Sequence, residues 1–457
     1  MIHRLQSTIR ELGLPRQFWL LFWGMLLNTA GGSMVWPFLT IYLRERLGVP
    51  LTTVTLLMTL NSAAALAAVA VAGPVVDRFG RKWAMVIGLA AMSVTLATMS
   101  TAGTLPAWAI LMACQGAFGP VYRVGADAMI ADMIEPERRP NAYALVRMIT
   151  NLGVAIGPSV GGFVAARSYA LAFYIAAAAS AAYAALILVF ARETMPARRP
   201  VAEAGRAESR RSGAATPSYH PEQQRRVSPG QEEMLPRAQD DSVDGQYSTR
   251  TEARARRGGV GGGGYGPVVR DGRFMAFCGL YTLAVIPSAL MMLLLPVYGK
   301  EQFGVPESQY GLIMATNAAM VVLFQYTVTQ TSKRYPPFGV LAVGAAFYAV
   351  GVGSVAWGGG FAAFWLSMVV LTIGELLLVP TASTLTAALA PADMRGRYMG
   401  VYGLTWGIGY GIGPVIGALL SDRIAPVATW YGGLAIGLAA AAGFVVMNRR
   451  LGRDLGA

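Results

Sequence analysis

A few charged residues stand inside long apolar runs, and they define the chemistry open to this chain. Glu375 lies in Thr372-Ile-Gly-Glu-Leu-Leu-Leu-Val-Pro380, with no basic residue within four positions. Out of water a carboxyl group favours its neutral form. Such a group can load and release protons near neutral pH, or attract a cationic ligand. The alternative is a glutamate satisfied by polar groups of a neighbouring helix. Arg123 and Asp127 are four residues apart, a spacing that puts both on one helical face and lets them pair. Arg147 lies about two helical turns into the following run. The three form one expected cluster with a spare positive charge, serving either structural pairing or proton relay. Charge inside an apolar helix is costly and marks pathways for ions and substrates.

Other chemistries are poorly supplied. Both histidines, His3 and His220, fall in polar stretches, and both cysteines, Cys114 and Cys278, fall in apolar ones. No metal site, disulfide scaffold or cofactor is expected from them. The chain contains no H-E-x-x-H, no phosphate-binding Walker loop and no paired intramembrane aspartates. An enzyme is therefore not expected.

The elements that carry these residues are membrane spans. Of 457 residues, 54% are hydrophobic and 13% charged, and the mean hydropathy is +0.47. A soluble domain carries about 25% charged residues. One crossing takes about 20 apolar residues, and spans are expected near 18–42, 51–75, 83–102, 105–131, 140–165, 169–190, 272–298, 308–331, 337–357, 360–389, 397–420 and 427–447. The expected architecture is an all-α membrane protein of twelve spans in two sets of six: residues 1–191, a linker over 192–270, and residues 271–457. The linker holds 14 arginines and 10 acidic residues with little apolar periodicity, and is expected to be a disordered cytoplasmic tether. No cleavable signal peptide is expected, because the first apolar run is too long.

The formal charge is +13. Its placement speaks for topology rather than nucleic-acid binding. With both termini inside, cytoplasmic tails and short loops hold fifteen basic residues against five (Arg44, Arg46, Arg167, Lys300 and Arg423) on the other side. The positive-inside rule then places both termini in the cytoplasm. The halves also repeat. An offset of 256 aligns Gly153, Gly157, Pro158 and Gly161 with Gly409, Gly413, Pro414 and Gly417. Repeated halves point to a transporter with its site between them.

Between spans two and three runs Gly73-Pro-Val-Val-Asp77-Arg78-Phe-Gly80-Arg81-Lys82. The glycines permit a tight turn, Asp77 can cap a helix N-terminus of the other half, and Arg81 can pair with Asp132. This stretch resembles the signature loop of the major facilitator superfamily, G-x-x-x-D-[RK]-x-G-[RK]-[RK]. The second half, around Lys333-Arg334, lacks the pattern. Gly153, Gly157, Pro158, Gly161 and Gly162 allow close helix approach, and Pro158 can bend its helix. They resemble the G-x-x-x-G-P-x-x-G-G motif of the drug/proton antiporter branch. The superfamily's R-x-x-Q-G motif is represented only by Gln115-Gly116, with Met112 at the arginine position. The surroundings of Glu375 are similar to span ten of proton-coupled oligopeptide transporters, whose E-x-x-E-R motif is absent here.

The resemblance implies two six-helix bundles around a central cavity. Candidate lining residues are Asn28, Asn61, Gln115, Asn317 and Trp406. It implies a multi-pass protein of a bacterial inner membrane, a monomer, with protons and a small molecule as its partners. The expected activity is proton-coupled export of lipophilic or cationic compounds by alternating access. The alternative is a proton symporter importing a metabolite or small peptide.

Overall fold

The structure, a computed structural model, describes residues 13–136, 138–195, 265–391 and 394–454. Most of the expected tether, 196–264, lies outside the described residues, as do His3 and His220. The described chain is helical, with no strand among the described residues. In order, the helices are α1 (Arg16–Val35), α2 (Leu39–Leu47), α3 (Leu51–Phe79), α4 (Arg81–Met99), α5 (Leu105–Met133), α6 (Arg139–Ala165), α7 (Tyr169–Phe190), the short α8 (Gly266–Arg270), α9 (Gly272–Phe303), α10 (Glu307–Ser332), α11 (Pro337–Ser354), α12 (Phe361–Leu389), α13 (Arg395–Arg423) and α14 (Ala428–Asp454). A 3-10 turn, Trp36–Phe38, joins α1 to α2 and holds Pro37.

Hydrocarbon offers no hydrogen-bonding solvent, so a spanning segment must satisfy its backbone internally, as a helix does. Eleven of the described helices are long and apolar enough to cross a membrane, with α1 and α2 acting as one. The remaining long helix, α5, has 29 residues. It carries Gln115, Arg123, Asp127 and Asp132. Several helices outrun the apolar stretches that predict them. The first span ends at Leu47 rather than near residue 42, α3 reaches Phe79, and α14 reaches Asp454. Apolar runs mark the hydrocarbon layer, whereas the helix continues into the polar margin, where long charged side chains reach water.

The internal repeat extends to packing partners. A Cβ added to Gly153 would lie 2.8 Å from Thr29 Cβ, one on Gly157 would lie 2.6 Å from the Ala30 carbonyl oxygen, and one on Gly161 would lie 2.5 Å from the Met34 carbonyl oxygen. In the second half Gly409 faces Val285, Gly413 faces Ile286 and Gly417 faces Leu290. Val285, Ile286 and Leu290 are Thr29, Ala30 and Met34 displaced by the same 256 positions. Thus α6 lies on α1 as α13 lies on α9. The contacts differ in kind: at Gly157 and Gly161 α6 comes against backbone atoms of α1 as well as side chains, whereas α13 first meets the side chains of Val285, Ile286 and Leu290.

That difference predicts unequal tolerance. Gly157→Ala drives a methyl group against the α1 backbone, which cannot yield as a side chain does, and a cost of about 1–3 kcal/mol is expected. Gly413→Ala sets its Cβ 3.1 Å from Ile286 Cγ2, where a rotamer can adjust. Thermal unfolding in detergent should show the larger Tm loss for Gly157→Ala. Equal losses would contradict the packing described.

Candidate functional site

The Gly73–Lys82 stretch is mostly helix. It comprises the last turns of α3, a single linking residue and the first turn of α4. Gly80 makes the link at φ +94°, a conformation that L side chains rarely adopt. Arg81 is the centre of the cluster. Its Nε donates to Asp132 at 3.0 Å and its Nη1 lies 3.2 Å from Asp77. Arg78 stands over the ring of Phe79. The expected cap by Asp77 on a helix of the other half is not made in this conformation. Asp77 is 70% exposed and paired with Arg81, and the N-terminus of α13 has no side-chain cap.

The carboxylate that does cap a helix here is Glu193. It accepts the backbone N–H groups of Arg81 at 3.0 Å and Lys82 at 3.1 Å, and so satisfies two orphan donors at the start of α4. Sequence reasoning missed it. Glu193 lies more than a hundred residues away, at the edge of the polar linker, and no local motif marks it.

At the opposite end, charged side chains bind the halves together. Arg44 and Glu45 occupy the end of α2, and Lys300 and Glu301, 256 positions later, occupy the end of α9. They pair crosswise: Arg44 with Glu301, and Lys300 with Glu45 at 2.6 Å. Lys300 also reaches Glu307 at 2.6 Å. Glu307 is only 6% exposed and accepts a hydrogen bond from the Tyr169 hydroxyl of the first half. Asp422 accepts from both the backbone N–H and the hydroxyl of Thr52. Below this clasp Phe38 meets Tyr310 edge-on at 5.8 Å. The glycine motif contributes a second seam. A Cβ on Gly162 would lie 2.5 Å from the Glu307 carbonyl oxygen, and one on Gly311 2.8 Å from the Pro158 carbonyl oxygen. So α6 packs on α1 with one face and on α10 of the other half with the other.

Arg123 and Asp127 are both exposed. They sense one another electrostatically, but the expected i,i+4 ion pair is not among the described contacts. Tyr143 Oη donates to the Asp127 carbonyl oxygen at 3.0 Å. Arg147 is exposed on α6 and lies within electrostatic reach of Tyr402 on α13. The first-half cluster is therefore looser than its spacing suggests, and it opens toward the second half.

Glu375 sits at the middle of α12. Its Oε2 accepts from Asn317 Nδ2 at 2.8 Å, and the same amide donates to Thr372 Oγ1 at 2.9 Å. Other candidates for cavity lining turn inward. Asn28 accepts from the Ser180 hydroxyl, and Asn61 donates to the Met112 carbonyl oxygen. Gln115 is buried, its Oε1 without a hydrogen-bond partner among the described residues. Trp406 is wedged between Tyr281 and Tyr410. Two of these polar side chains, those of Asn28 and Asn61, are consumed within their own half.

The sequence profile described as the Major Facilitator Superfamily matches residues 21–414. The chain belongs to the major facilitator superfamily. It is 25% identical over 420 residues to a Na(+), Li(+), K(+)/H(+) antiporter of Planococcus maritimus, covering 87% of this chain and 86% of that protein. It is 24% identical over 406 residues to multidrug resistance protein MdtH of Escherichia coli O1:K1 / APEC, covering 86% and 83%. Among solved structures, a POT family transporter in complex with 5-aminolevulinic acid superposes with a TM-score of 0.70 at 15% identity, covering 95% of this chain and 96% of that one. This likeness speaks for the fold. As a major facilitator the protein is a transporter rather than an enzyme, and it is a multi-pass protein of the cell's inner membrane.

The crosswise clasp makes a charge-swap prediction. Arg44→Glu breaks its pair with Glu301 and faces it with a like charge. Adding Glu301→Arg restores an opposite pair. Maleimide labelling of Phe38→Cys, in a background lacking Cys114 and Cys278, should accelerate in Arg44→Glu and return toward the parent rate in the double variant. A single exposed pair contributes about 0.2–1 kcal/mol, so a change of severalfold is expected. Unchanged labelling in Arg44→Glu would rule out the clasp as a barrier.

Proposed function

We propose that this transporter exports lipophilic or cationic small molecules in exchange for protons, with Glu375 as the coupling carboxylate. The observation that carries the reading is the setting of Glu375. It stands mid-helix in α12, held by the Asn317 amide, with no ion-pair partner among the described residues. A carboxylate of that kind changes charge at low structural cost, because no salt bridge has to break when it is protonated. The multidrug and antiporter names of two relatives support exchange and a drug-like cargo. So does the resemblance of the α6 glycine motif to the drug/proton antiporter branch.

In the orientation given by the positive-inside rule, both termini and the Gly80 link lie in the cytoplasm. The Arg44–Lys300 clasp then closes the outer face, and this conformation receives cargo from inside. Arg123, Asp127 and Arg147 stand on that inner side, where they meet an entering ligand. Export requires the clasp to open and the inner ends to close. Asp77 becomes available to the N-terminus of α13 when that happens. The protein acts as a monomer, since each half already has its partner within the chain. A proton-coupled symporter is the second reading, supported by the similarity of the Glu375 stretch to oligopeptide transporters.

The test uses proteoliposomes with an imposed pH gradient and a pH-sensitive dye inside. A lipophilic cation should dissipate an inside-acid gradient as it is taken up, and Glu375→Gln should abolish that coupling by tenfold or more. Persistence of full coupling in Glu375→Gln would remove Glu375 from the mechanism. Proton entry together with an external dipeptide would establish the symporter instead.

A further inference from the structure

Glu375 has more than the Asn317 amide around it. Tyr348, on α11, packs its ring directly on Gly374, where an added Cβ would lie 2.8 Å from Tyr348 Cδ1. Its side chain is 1% exposed, and its hydroxyl adjoins that of Ser288 but makes no well-formed hydrogen bond among the described residues. That hydroxyl lies within electrostatic reach of Glu375 and of Tyr410 on α13. The Tyr410 hydroxyl in turn shares a hydrogen bond of 3.2 Å with the hydroxyl of Ser288 on α9. With Asn317 on α10 and Thr372 beside Glu375 on α12, five helices of one half contribute oxygen-bearing groups to the neighbourhood of Glu375. The described hydrogen bonds engage only Oε2 of Glu375, which leaves Oε1 for an occupant.

We propose that this oxygen cluster is a binding site for one alkali-metal cation, with the Glu375 carboxylate and the Tyr348 hydroxyl among its ligands. The inference rests on the reading of Glu375 as the coupling carboxylate and specifies what besides a proton that carboxylate takes. Three features select the ligand. The donors are hard oxygens, without thiolate or imidazole, which suits alkali and alkaline-earth ions over transition metals. The cluster carries a single negative charge, so a monovalent ion leaves it neutral, whereas a divalent ion leaves a buried net charge, which is costly. Among the described residues the Tyr348 hydroxyl makes no well-formed hydrogen bond, which marks the place as incompletely satisfied, and a buried polar group in that state is costly. A cation and a proton on Glu375 exclude each other there.

The test is thermal unfolding of the full-length protein in detergent at constant ionic strength and pH. NaCl, LiCl or KCl replaces choline chloride in a titration. Ligand that binds only the folded state raises Tm, by an amount that grows with the logarithm of 1 + [L]/Kd. At least one alkali cation should raise Tm where choline does not, and Glu375→Gln should abolish the response. Tyr348→Phe should unfold close to the parent in choline, because its hydroxyl makes no well-formed hydrogen bond among the described residues. The alkali concentration that gives a set rise in Tm should be about tenfold higher than for the parent, the equivalent of about 1.4 kcal/mol. A parent protein indifferent to the alkali cation, as expected if a buried water fills the place, would overturn the proposal. So would a Tyr348→Phe titration that superposes on the parent's, and these two results decide the matter if Glu375→Gln does not fold. The proteoliposome assay separates the two claims. Loss of proton coupling in Glu375→Gln without any alkali response sinks the ion site alone, whereas intact coupling sinks the reading on which it rests.

Discussion

Backbone touches backbone where α6 crosses α1 and α10, and the rest of the molecule is arranged around that approach. Gly157 and Gly161 bring the helix against Ala30 and Met34, and Gly162 brings it against Glu307. In lipid there is no hydrophobic drive between helices, so close van der Waals contact is the main source of their association. One helix therefore serves two seams at once. The seam with α1 holds the first half together, and the seam with α10 joins it to the second. Movement of α10 past α6 has to begin at contacts that no side chain cushions. The crosswise ion pairs lie at the same end, so charge and shape close the structure at one place.

The polar inventory of the spans divides by the same logic. A buried amide or hydroxyl in hydrocarbon needs a partner, and most find one nearby, as Asn28 does with Ser180 and Asn61 with the Met112 carbonyl. Such residues hold helices of one half in register. The residues that the proposed roles draw on are ones that packing leaves less fully satisfied: the exposed Arg123, Asp127 and Arg147, the half-buried Glu375, and the Tyr348 hydroxyl.

Much of the fold was legible in the chain. Apolar runs located the long helices, and the pairing of Arg81 with Asp132 could be stated in advance from the Gly73–Lys82 pattern. Helix ends were less legible, because hydropathy reports where lipid ends and not where the helix does. The Arg123–Asp127 pair shows the limit of spacing as evidence: four residues apart on one helix permits contact without compelling it. Glu193 was out of reach, since it caps α4 from a distant, polar stretch with no pattern of its own. The clasp was within reach and overlooked. The offset that aligns Gly157 with Gly413 also aligns Arg44-Glu45 with Lys300-Glu301, and the two dipeptides meet crosswise.

That last geometry has a further consequence. A basic–acidic dipeptide that meets its own counterpart about a two-fold axis is self-complementary: the basic residue of each copy finds the acidic residue of the other. This is the rule of an isologous homodimer interface, written here within one polypeptide. A half-length ancestor carrying the dipeptide once would have closed on a second copy of itself with the same two bonds. Duplication and fusion then need no new chemistry at this seam. They leave two copies free to diverge, as Lys300 has from Arg44, provided each keeps its sign.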